Sequence, residues 1–289
     1  MGILLDSGSR LIIQGITGHV GRNAAGRMRG AGTPLVGGVT PGRGGQTVEG
    51  VPVFDSCYEA VAEVGATGSL VLVPAPSCLD ACLEAIDAGL GLVSVYTDNV
   101  PLADAIRIRS CALARGAVVL GPNSAGTVSP GVANLSDLND DYLVPGTVGI
   151  VAKSGAITYE VADLVRAEGL GVSSVVCLGG DPVLCTGYRE VLERFRADPG
   201  TEAVVLIGEI GGGLELLATD VIRAMGKPVI AHVLGRHAPP GKRMGHAGAL
   251  VGRGDDARAK GVRLGEAGAV VVEQFWRIGE EVARALGKR

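Results

Sequence analysis

The stretch LIIQGITGHVGR, residues 11–22, decides the fold of the first half of the chain. A short apolar run leads directly into glycines at positions 15, 18 and 21, and a helical pattern follows. A strand, a glycine-rich turn and a helix form a unit in which backbone N–H groups and the helix dipole can hold a phosphate. The alternative is that the glycines only permit tight packing between strand and helix. Either way, the stretch predicts the opening of a Rossmann-like domain.

The same alternation of apolar runs and amphipathic segments continues along the chain. Helical patterns are clearest at 78–89 and 101–116. Continuous apolar strands between helices indicate parallel sheets covered on both faces. The predicted strands lie at residues 11–15, 34–39, 68–74, 91–96 and 117–122, and then at 147–152, 173–179, 202–210, 227–235 and 269–274.

A polar, proline-containing stretch, DLNDDYLVPG (137–146), separates the two halves. The 289 residues are long for one compact domain and comfortable for two. We therefore predict an α/β protein with a Rossmann-like domain over residues 1–143. A flavodoxin-like, doubly wound parallel-sheet domain is predicted over residues 144–289.

Composition excludes several classes of protein. A formal net charge of -4 does not suggest nucleic-acid binding. No apolar run approaches the roughly 18 residues that span a bilayer, and the start MGILLDSGSR does not resemble a signal peptide. The six cysteines are scattered, and the nearest pair, Cys78 and Cys82, has no second pair or histidine nearby. We expect a cytoplasmic protein with reduced, packed thiols rather than a metal site.

The end of the second strand bears on the ligand of the first domain. A site for NAD has an acidic residue there to hold the ribose hydroxyls. The segment GGVTPGRGG (37–45) has no acid, and Arg43 stands in its loop. A cation favours a phosphorylated ribose, which leaves NADP or coenzyme A unless Arg43 is an ordinary solvated arginine. The strand ends VPAPS (73–77) and YTDNVP (96–101) would flank the same ligand.

Two motifs are predicted to meet at the carboxyl edge of the second sheet. In VAKSGAITYE (151–160), a strand precedes a Ser-Gly turn and a helix, so Ser154 either begins an anion-binding helix or serves only as an N-cap. In LIGEIGGG (206–213), Glu209 ends an apolar strand among glycines. A carboxylate there needs a partner such as a histidine, unless it is solvated.

The third motif is GKRMGHAGAL (241–250), which contains His246 among small residues. If Glu209 accepts a hydrogen bond from Nδ1–H, Nε2 is left as a nucleophile that can take a phosphoryl group. His232 is expected in a strand and His237 in a loop. His19 lies in the glycine-rich turn, where it can contact a ligand.

Taken together, these motifs resemble the α subunit of succinyl-CoA synthetase, the succinate–CoA ligases. The matching stretches run in order across nearly the whole chain, and the last two are specific in combination. They are QGITGHVG, GGVTPGRGG, VPAP, EAIDAG, GPNSAG, KSGAITYE, GGDP, EAVVLIGEIGG and GKRMGHAGA.

The resemblance implies roles for particular residues. His246 resembles the family's phosphohistidine, and Glu209 its carboxylate partner. Ser154 and Gly155 correspond to the helix start that receives the phosphate, and Tyr159 to a substrate-site residue. The implied coenzyme A contacts are Thr17, Gly18, His19, Val20, Arg43, Tyr96, Thr97 and Asp98.

The resemblance also implies a reaction and a partner. A nucleoside triphosphate, bound as Mg-ATP or Mg-GTP by a separate ATP-grasp β subunit, would supply the phosphoryl group. The group would pass between His246 and a small carboxylate, and coenzyme A would then displace phosphate to give an acyl-CoA. Nothing in the sequence matches the P-loop G-x-x-x-x-G-K-[ST], so we expect activity only with the β subunit, in an αβ or α2β2 assembly.

Departures from the family pattern affect the predicted substrate more than the phosphoryl chemistry. The family's Cys-Pro is Ser124-Ala125, its lysine is Arg43, and an acid is shortened to Asp98. The segment VGRGDDARAK (251–260) also differs. Malate, citrate or another small carboxylate therefore stays open beside succinate. The alternatives of another kind are an NADP-dependent oxidoreductase and a non-catalytic coenzyme A-binding regulator.

Overall fold

The computed structural model describes residues 2–239, 241–250 and 256–288 and contains two seven-stranded sheets. The first sheet has the order β3-β4-β2-β1-β5-β6-β7. Apart from the antiparallel edge strand β3, its strands are parallel in the order 3-2-1-4-5-6 of a Rossmann fold. The strands are β1 (Leu11–Gln14), β2 (Leu35–Val39), β3 (Thr47–Val48), β4 (Val51–Phe54), β5 (Gly68–Val71), β6 (Leu92–Val95) and β7 (Val118–Leu120). The helices are α1 (His19–Gly30), α2 (Cys57–Val64), α3 (Ala75–Asp87) and α4 (Leu102–Arg115).

The second sheet has the order β14-β13-β12-β10-β11-β8-β9. Its strands are β8 (Gly126–Ser129), β9 (Ala133–Ser136), β10 (Pro145–Ala152), β11 (Val172–Cys177), β12 (Ala203–Glu209), β13 (Val229–Leu234) and β14 (Val270–Val271). Its helices are α5 (Gly155–Ala167), α6 (Tyr188–Ala197), α7 (Thr219–Arg223), α8 (Ala257–Glu266) and α9 (Ile278–Ala285), with 3-10 turns at Asp140–Tyr142, Leu216–Ala218 and Phe275–Arg277. Strands β10 to β14 are parallel in the flavodoxin order 2-1-3-4-5. The predicted fold class is confirmed.

All ten predicted strands are present, although β14 has only two residues. The sequence did not predict β3, β4, β8 or β9. Strand β4 reads VPVF, and a proline within a run argues against a strand unless it lies near an edge. Strands β8 and β9 carry buried polar side chains, and some of their hydrogen bonds are made to residues outside the two strands. The Thr127 hydroxyl donates to the distant Val175 carbonyl at 2.8 Å, and the Asn134 side-chain amide donates to the Leu138 carbonyl, four residues along the chain, at 2.8 Å.

The hairpin of β8 and β9 connects the two halves of the molecule. It precedes residue 144, yet β8 pairs with β11 in the second sheet. From β9, Leu135 packs into the apolar core beneath the first sheet with Leu11 and Leu70. The proposed division of the chain at residues 143/144 stays a prediction, with this hairpin on its amino-terminal side.

The six cysteines are free thiols, and five of them are buried. Burial raises the pKa of Cys177 and of Cys185 to about 12, so both thiols are protonated at neutral pH. The sulfur atoms of Cys78 and Cys82 lie 3.9 Å apart on α3. No cluster of three or more potential metal ligands occurs within the described ranges. Among the helices in those same ranges, none has the length and apolar character that crossing a bilayer requires.

Candidate active site

A cavity of about 370 Å³ opens at the carboxyl ends of β1, β2 and β5 in the first domain. Strands β1 and β5 are neighbours in the sheet. From β1 the chain continues to β2 on one side, and from β5 it continues to β6 on the other side. This crevice is therefore the topological switch point, where open parallel sheets bind ligands. Its lining includes Thr17, Gly18, Thr40 and Pro74.

The glycine-rich turn packs tightly between the first strand and α1. A Cβ atom at Gly15, where φ is +84°, would lie 2.8 Å from the Leu72 carbonyl oxygen, and one at Gly21 would lie 2.3 Å from the Gly15 oxygen. These two glycines are required for strand–helix packing. Gly18 is the N-cap residue of α1, and no side chain caps that helix. The amides of His19 and Val20 at the start of α1 therefore suit a phosphate group.

Arg43 lies in the loop that follows Thr40 and Pro41, two residues that line this crevice. The carboxylate of Asp55 accepts hydrogen bonds from the amides of Arg43 and Gly44 at 2.9 and 2.8 Å. The hydroxyl of Thr17 donates to that of Thr40 at 3.2 Å, which joins the glycine-rich turn to the base of the loop. The exposed Arg43 guanidinium makes no ion pair with any described residue. An exposed cation in the loop next to the crevice fits a phosphorylated nucleotide ligand.

A second cavity of about 370 Å³ lies between the two domains. The first domain contributes Tyr96, Thr97 and Asp98, which follow β6. Residues 123–125, which lead into β8, also line it, and the second domain contributes residues 153–156 and His246. The hydroxyl of Thr97 donates to the Val73 carbonyl at 2.6 Å, which connects this cavity to the end of β5 and the first crevice. The fold thus brings the predicted coenzyme residues after β6 next to the predicted phosphate-binding turn.

His246 and Glu209 form the predicted pair. The Nδ1 atom of His246 lies 2.8 Å from Oε2 of Glu209. The other carboxylate oxygen, Oε1, accepts a hydrogen bond from Nζ of Lys153 at 3.2 Å. Because β10 and β12 are parallel neighbours, Lys153 and Glu209 emerge side by side at the switch point of the second sheet.

Opposing effects set the ionisation of Glu209. Burial acts to raise the pKa of its carboxyl. The hydrogen bond with His246 and the charge of Lys153 outweigh burial and leave the pKa below its ordinary value of 4.5. Glu209 is therefore an anion at neutral pH and accepts the hydrogen bond from Nδ1 of His246. In the neutral form of such an imidazole, Nε2 carries the lone pair.

The imidazole of His246 lies between two open spaces. It borders the interdomain cavity and a further cavity of about 370 Å³ lined by Ile210, Leu234 and Met244. One face of the ring packs against Gly180, where a Cβ atom would lie 2.4 Å from Cδ2. The side chain is 25% exposed, and Nε2 has no hydrogen-bond partner among the described residues. This nitrogen is accessible to a ligand.

The helix α5 begins beside this imidazole. Ser154 is its N-cap residue, as predicted, but the hydroxyl makes no capping hydrogen bond. Gly155 is required at the next position because a Cβ atom there would lie 2.4 Å from Cβ of Ala125. The first-turn amides of α5 are thus uncapped at the edge of a cavity that also contains the Lys153 ammonium. This combination suits an anion.

Two residues singled out in the sequence have other contacts. The buried hydroxyl of Ser124 donates to the Cys177 carbonyl at 2.6 Å and accepts from the Gly126 amide at 2.9 Å. Tyr159 does not line the cavities at His246, and its hydroxyl accepts a hydrogen bond from the Asn139 amide. Its substrate role stays a prediction.

Lys153 was not predicted as a site residue from the sequence, although a signal was present. Lys153 directly follows an apolar strand and directly precedes a helix start, where burial is expected. Burial of a charged ammonium costs free energy unless the ammonium has an anionic partner. Its relative exposure is 6%. Of the divergent segment 251–260, residues 251–255 lie outside the described ranges, and α8 begins at Ala257.

Comparison with known proteins gives consistent matches. Residues 6–98 match the CoA binding domain family, and residues 151–264 match the CoA-ligase family. The chain is 46% identical over 288 residues to the succinate–CoA ligase [ADP-forming] subunit alpha of Methanothermobacter thermautotrophicus, covering 99% of this chain and 98% of that one. It is 45% identical over 285 residues to subunit alpha 1 of the same ligase from Archaeoglobus fulgidus, covering 98% of both. It is 42% identical over 294 residues to the malate–CoA ligase subunit alpha of Methylorubrum extorquens, covering 100% of this chain and 99% of that one.

Solved structures share the fold at lower identity. The ATP citrate lyase of Methanosaeta concilii in complex with (3S)-citryl-CoA superimposes with a TM-score of 0.89 at 22% identity. That match covers 99% of this chain, which spans about half of the lyase chain (50%). A dinucleotide-forming acetyl-coenzyme A synthetase of Ca. Korarchaeum cryptofilum matches with a TM-score of 0.73 at 19% identity, over 93% of this chain and 58% of that one.

Proposed function

Because the chain belongs to the family of succinate–CoA ligase α subunits, we propose that it carries a phosphoryl group on His246 while an acyl-CoA is made. The observation that carries the proposal is the 2.8 Å contact between His246 Nδ1 and the Glu209 carboxylate. This contact leaves Nε2 as the nucleophile. In the first step Nε2 attacks the terminal phosphorus of a nucleoside triphosphate. The N–P bond forms as the P–O bond to the departing nucleoside diphosphate breaks.

Glu209 holds the tautomer and balances charge during this step. The attacking imidazole acquires positive charge as the N–P bond forms, and the anionic carboxylate at Nδ1 stabilises it. The pKa of Glu209 lies below its ordinary value, so the carboxylate is already ionised before the reaction starts. The pair is thus organised in advance for phosphoryl transfer.

Ser154, Gly155 and Lys153 are proposed to hold the phosphoryl group. The amides at the start of α5 and the Lys153 ammonium border the cavity that the imidazole faces. Both are positive in character, and the transferred group is strongly negative. In the second step a substrate carboxylate oxygen attacks the phosphorus and the N–P bond breaks, which restores His246 and gives an acyl phosphate.

Coenzyme A is proposed to bind across the first crevice, with its thiol directed to the interdomain cavity. The first-turn amides of α1 and Arg43 would hold its phosphates, with Thr17, Gly18, His19 and Val20 in the turn. Tyr96, Thr97 and Asp98 would flank the arm that leads to the reacting thiol. The thiol sulfur then attacks the acyl carbon, and the C–O bond to the phosphate breaks. The released phosphate takes the thiol proton.

We propose that the nucleotide is supplied by a partner. The family's naming as α subunits points to a β subunit, and the sequence lacks a P-loop match. The β subunit is proposed to have an ATP-grasp fold, to bind Mg-ATP or Mg-GTP, and to form an αβ or α2β2 assembly. The six free thiols fit the cytoplasm, the location proposed here.

Succinate is the leading substrate, and malate is the specific alternative. The succinate–CoA ligase α subunits of Methanothermobacter thermautotrophicus and Archaeoglobus fulgidus are 45–46% identical to this chain. The relative named for malate is 42% identical over the whole chain, and further relatives named for succinate are also 42% identical. A panel of succinate, malate, citrate and acetate, assayed with the β subunit encoded nearest this chain, distinguishes them. The substrate is the acid that releases phosphate in a coenzyme A-dependent way.

Phosphorylation of the chain tests the central proposal. With the cognate β subunit and radiolabelled ATP or GTP, the label should be acid-labile and base-stable. His246→Ala should remove it, whereas His232→Ala should retain it. Full labelling of the His246→Ala chain would overturn the assignment.

Calorimetry with coenzyme A and NADP tests the first domain separately, and binding of NADP alone would favour an oxidoreductase.

A further inference from the structure

Lys260 and Glu215 form an ion pair with no exposed surface directly behind Glu209. Both side chains are 0% exposed, and Nζ of Lys260 lies 2.8 Å from Oε2 of Glu215. Lys260 lies on α8, and Glu215 lies in the segment between β12 and α7. Buried charges are retained only where partners satisfy them, so their contacts indicate what the pair does.

The pair holds both backbone polar groups of Glu209. Oε1 of Glu215 accepts a hydrogen bond from the Glu209 amide at 3.1 Å. Nζ of Lys260 donates to the Glu209 carbonyl at 2.7 Å and to the Gly211 carbonyl at 3.0 Å. With the bond to Glu215, all three donors of the ammonium are used. The residue whose carboxylate orients His246 is therefore fixed on both sides of its Cα atom.

Two glycines show how closely this arrangement is packed. A Cβ atom at Gly208 would lie 2.9 Å from Cγ of Glu215, so only glycine leaves room for the Glu215 side chain. At Gly211, where φ is +88°, a Cβ atom would lie 2.2 Å from the Gly248 carbonyl oxygen. The turn that Lys260 holds thus also supports the segment that carries His246.

We propose that Lys260 and Glu215 are positioning residues for the His246–Glu209 pair. They hold the turn at 209–211, and that turn sets both the direction of the Glu209 carboxylate and the position of the segment around His246. A side chain at the end of a strand otherwise moves with a frayed backbone, and a shift of about 1 Å disrupts a catalytic geometry. The consequence for phosphoryl transfer rests on the proposed function, whereas the consequence for the imidazole tautomer does not.

The tautomer of His246 in the full-length chain is the direct test. In ¹⁵N-labelled protein, ring nitrogen shifts report which nitrogen carries the proton. In Glu215→Gln, which keeps the shape and removes the charge, the Nδ1-protonated population of His246 should fall by about half or more. Lys260→Met should produce a larger loss. With the partner subunit and nucleotide, labelling of His246 should slow by about tenfold or more in both variants.

His232 serves as an internal control in the same spectra. Its Nδ1 atom contacts the Val272 carbonyl at 2.7 Å, so its tautomer is fixed by a group that the pair does not touch. The His232 signal also identifies the folded population. If Lys260→Met does not fold, Glu215→Gln alone tests whether the buried pair positions His246. The control variant is Lys227→Met, since Lys227 donates to the Phe195 and Asp198 carbonyls at the opposite edge of the sheet.

Each outcome decides the proposal. A shift of the His246 signals with unchanged His232 signals, absent in Lys227→Met, supports it. Unchanged His246 signals in Glu215→Gln overturn it, as does an equal change at both histidines, which would indicate general loosening of the domain. If the tautomer shifts but wild-type His246 is never labelled, the positioning role stands and the proposed phosphoryl chemistry fails.

Discussion

The Nδ1 atom of His246 lies 2.8 Å from Oε2 of Glu209, although the two residues are 37 positions apart in the chain. Glu209 ends β12, and His246 follows β13, the next strand of the sheet. Parallel strands end at one edge, so the fold brings these two residues together without a long excursion of the chain. The contact fixes one ring nitrogen and leaves the other for chemistry.

Replacing Glu209 by glutamine tests what the negative charge contributes. Glu209→Gln keeps the side-chain shape but removes the anion that stabilises the reacting imidazole. Labelling of His246 with the partner subunit should slow by about 10²- to 10⁴-fold. The control is Glu202→Gln, an exposed glutamate that accepts from the Thr147 hydroxyl. Equal labelling rates in the two variants would show that the carboxylate charge is not used.

The stability of the protein should depend on pH through Glu209. The folded pKa of this carboxyl lies below 4.5, because the His246 hydrogen bond and the Lys153 charge outweigh burial. A depressed folded pKa contributes stability that is fully present above the unfolded value and is lost as pH falls through the folded value. The wild-type protein and Glu209→Gln should therefore differ in thermal unfolding midpoint by a constant amount above pH 4.5. Below that pH the difference should shrink. A difference that grows toward acid pH would contradict this sign.

Lys153→Met should change both the carboxylate and the phosphate site. Without the ammonium, the pKa of Glu209 should rise, because the charge of Lys153 helps to lower it. The phosphoryl group would also lose a cation, and we expect labelling of His246 to slow by about 10²- to 10³-fold. The pH at which the Glu209 carboxyl titrates by NMR measures the first effect. Lys227→Met is the matched control, and a pKa of Glu209 that does not move would argue against the contact.

Gly180→Ala tests whether the position of the imidazole is critical. The added Cβ would lie 2.4 Å from Cδ2 of His246, so the ring must move away. Overpacking of this kind costs about 1–3 kcal/mol, and labelling should fall by about tenfold or more. Gly248→Ala is a control from the same site, because the nearest atom to its new Cβ is 3.6 Å away. Similar loss in both variants would mean that the effect does not come from the ring.

Arg43→Met tests the coenzyme site independently of His246. The lost charge-assisted contact should raise the Kd for coenzyme A by about 10- to 100-fold. Dephospho-coenzyme A lacks the 3′-phosphate, so its Kd should barely change. Arg166→Met is the control, since that exposed arginine pairs with Asp163 on α5. Equal weakening for both ligands would place Arg43 at another phosphate, and an unchanged Kd for both would place it outside the site.

Local sequence determined most strands of the two sheets and the residues that we propose to react. Apolar runs of strand length between amphipathic segments predicted ten strands, because burial on both faces leaves a continuous apolar signal. The glycines of GITGHVG predicted a tight turn, because a Cβ atom at Gly15 or Gly21 collides with backbone. His246 and Glu209 were identified because each is a polar residue among small or apolar neighbours.

Only the tertiary structure decided which groups meet. The hairpin of β8 and β9 has no apolar pattern of its own, and two of its polar groups have distant partners. The Thr127 hydroxyl donates to the Val175 carbonyl, and the Asn134 backbone amide donates to the Thr33 hydroxyl. His246 and Lys153 both contact the Glu209 carboxylate because β10 and β12 are neighbours in the sheet. This strand order cannot be derived from the order of the strands along the chain. From local sequence alone, Lys260 and Glu215 would be predicted as two exposed charges, one on a helix and one in a loop. Their contacts form only because folding removes them from water and leaves the Glu209 backbone and each other as partners.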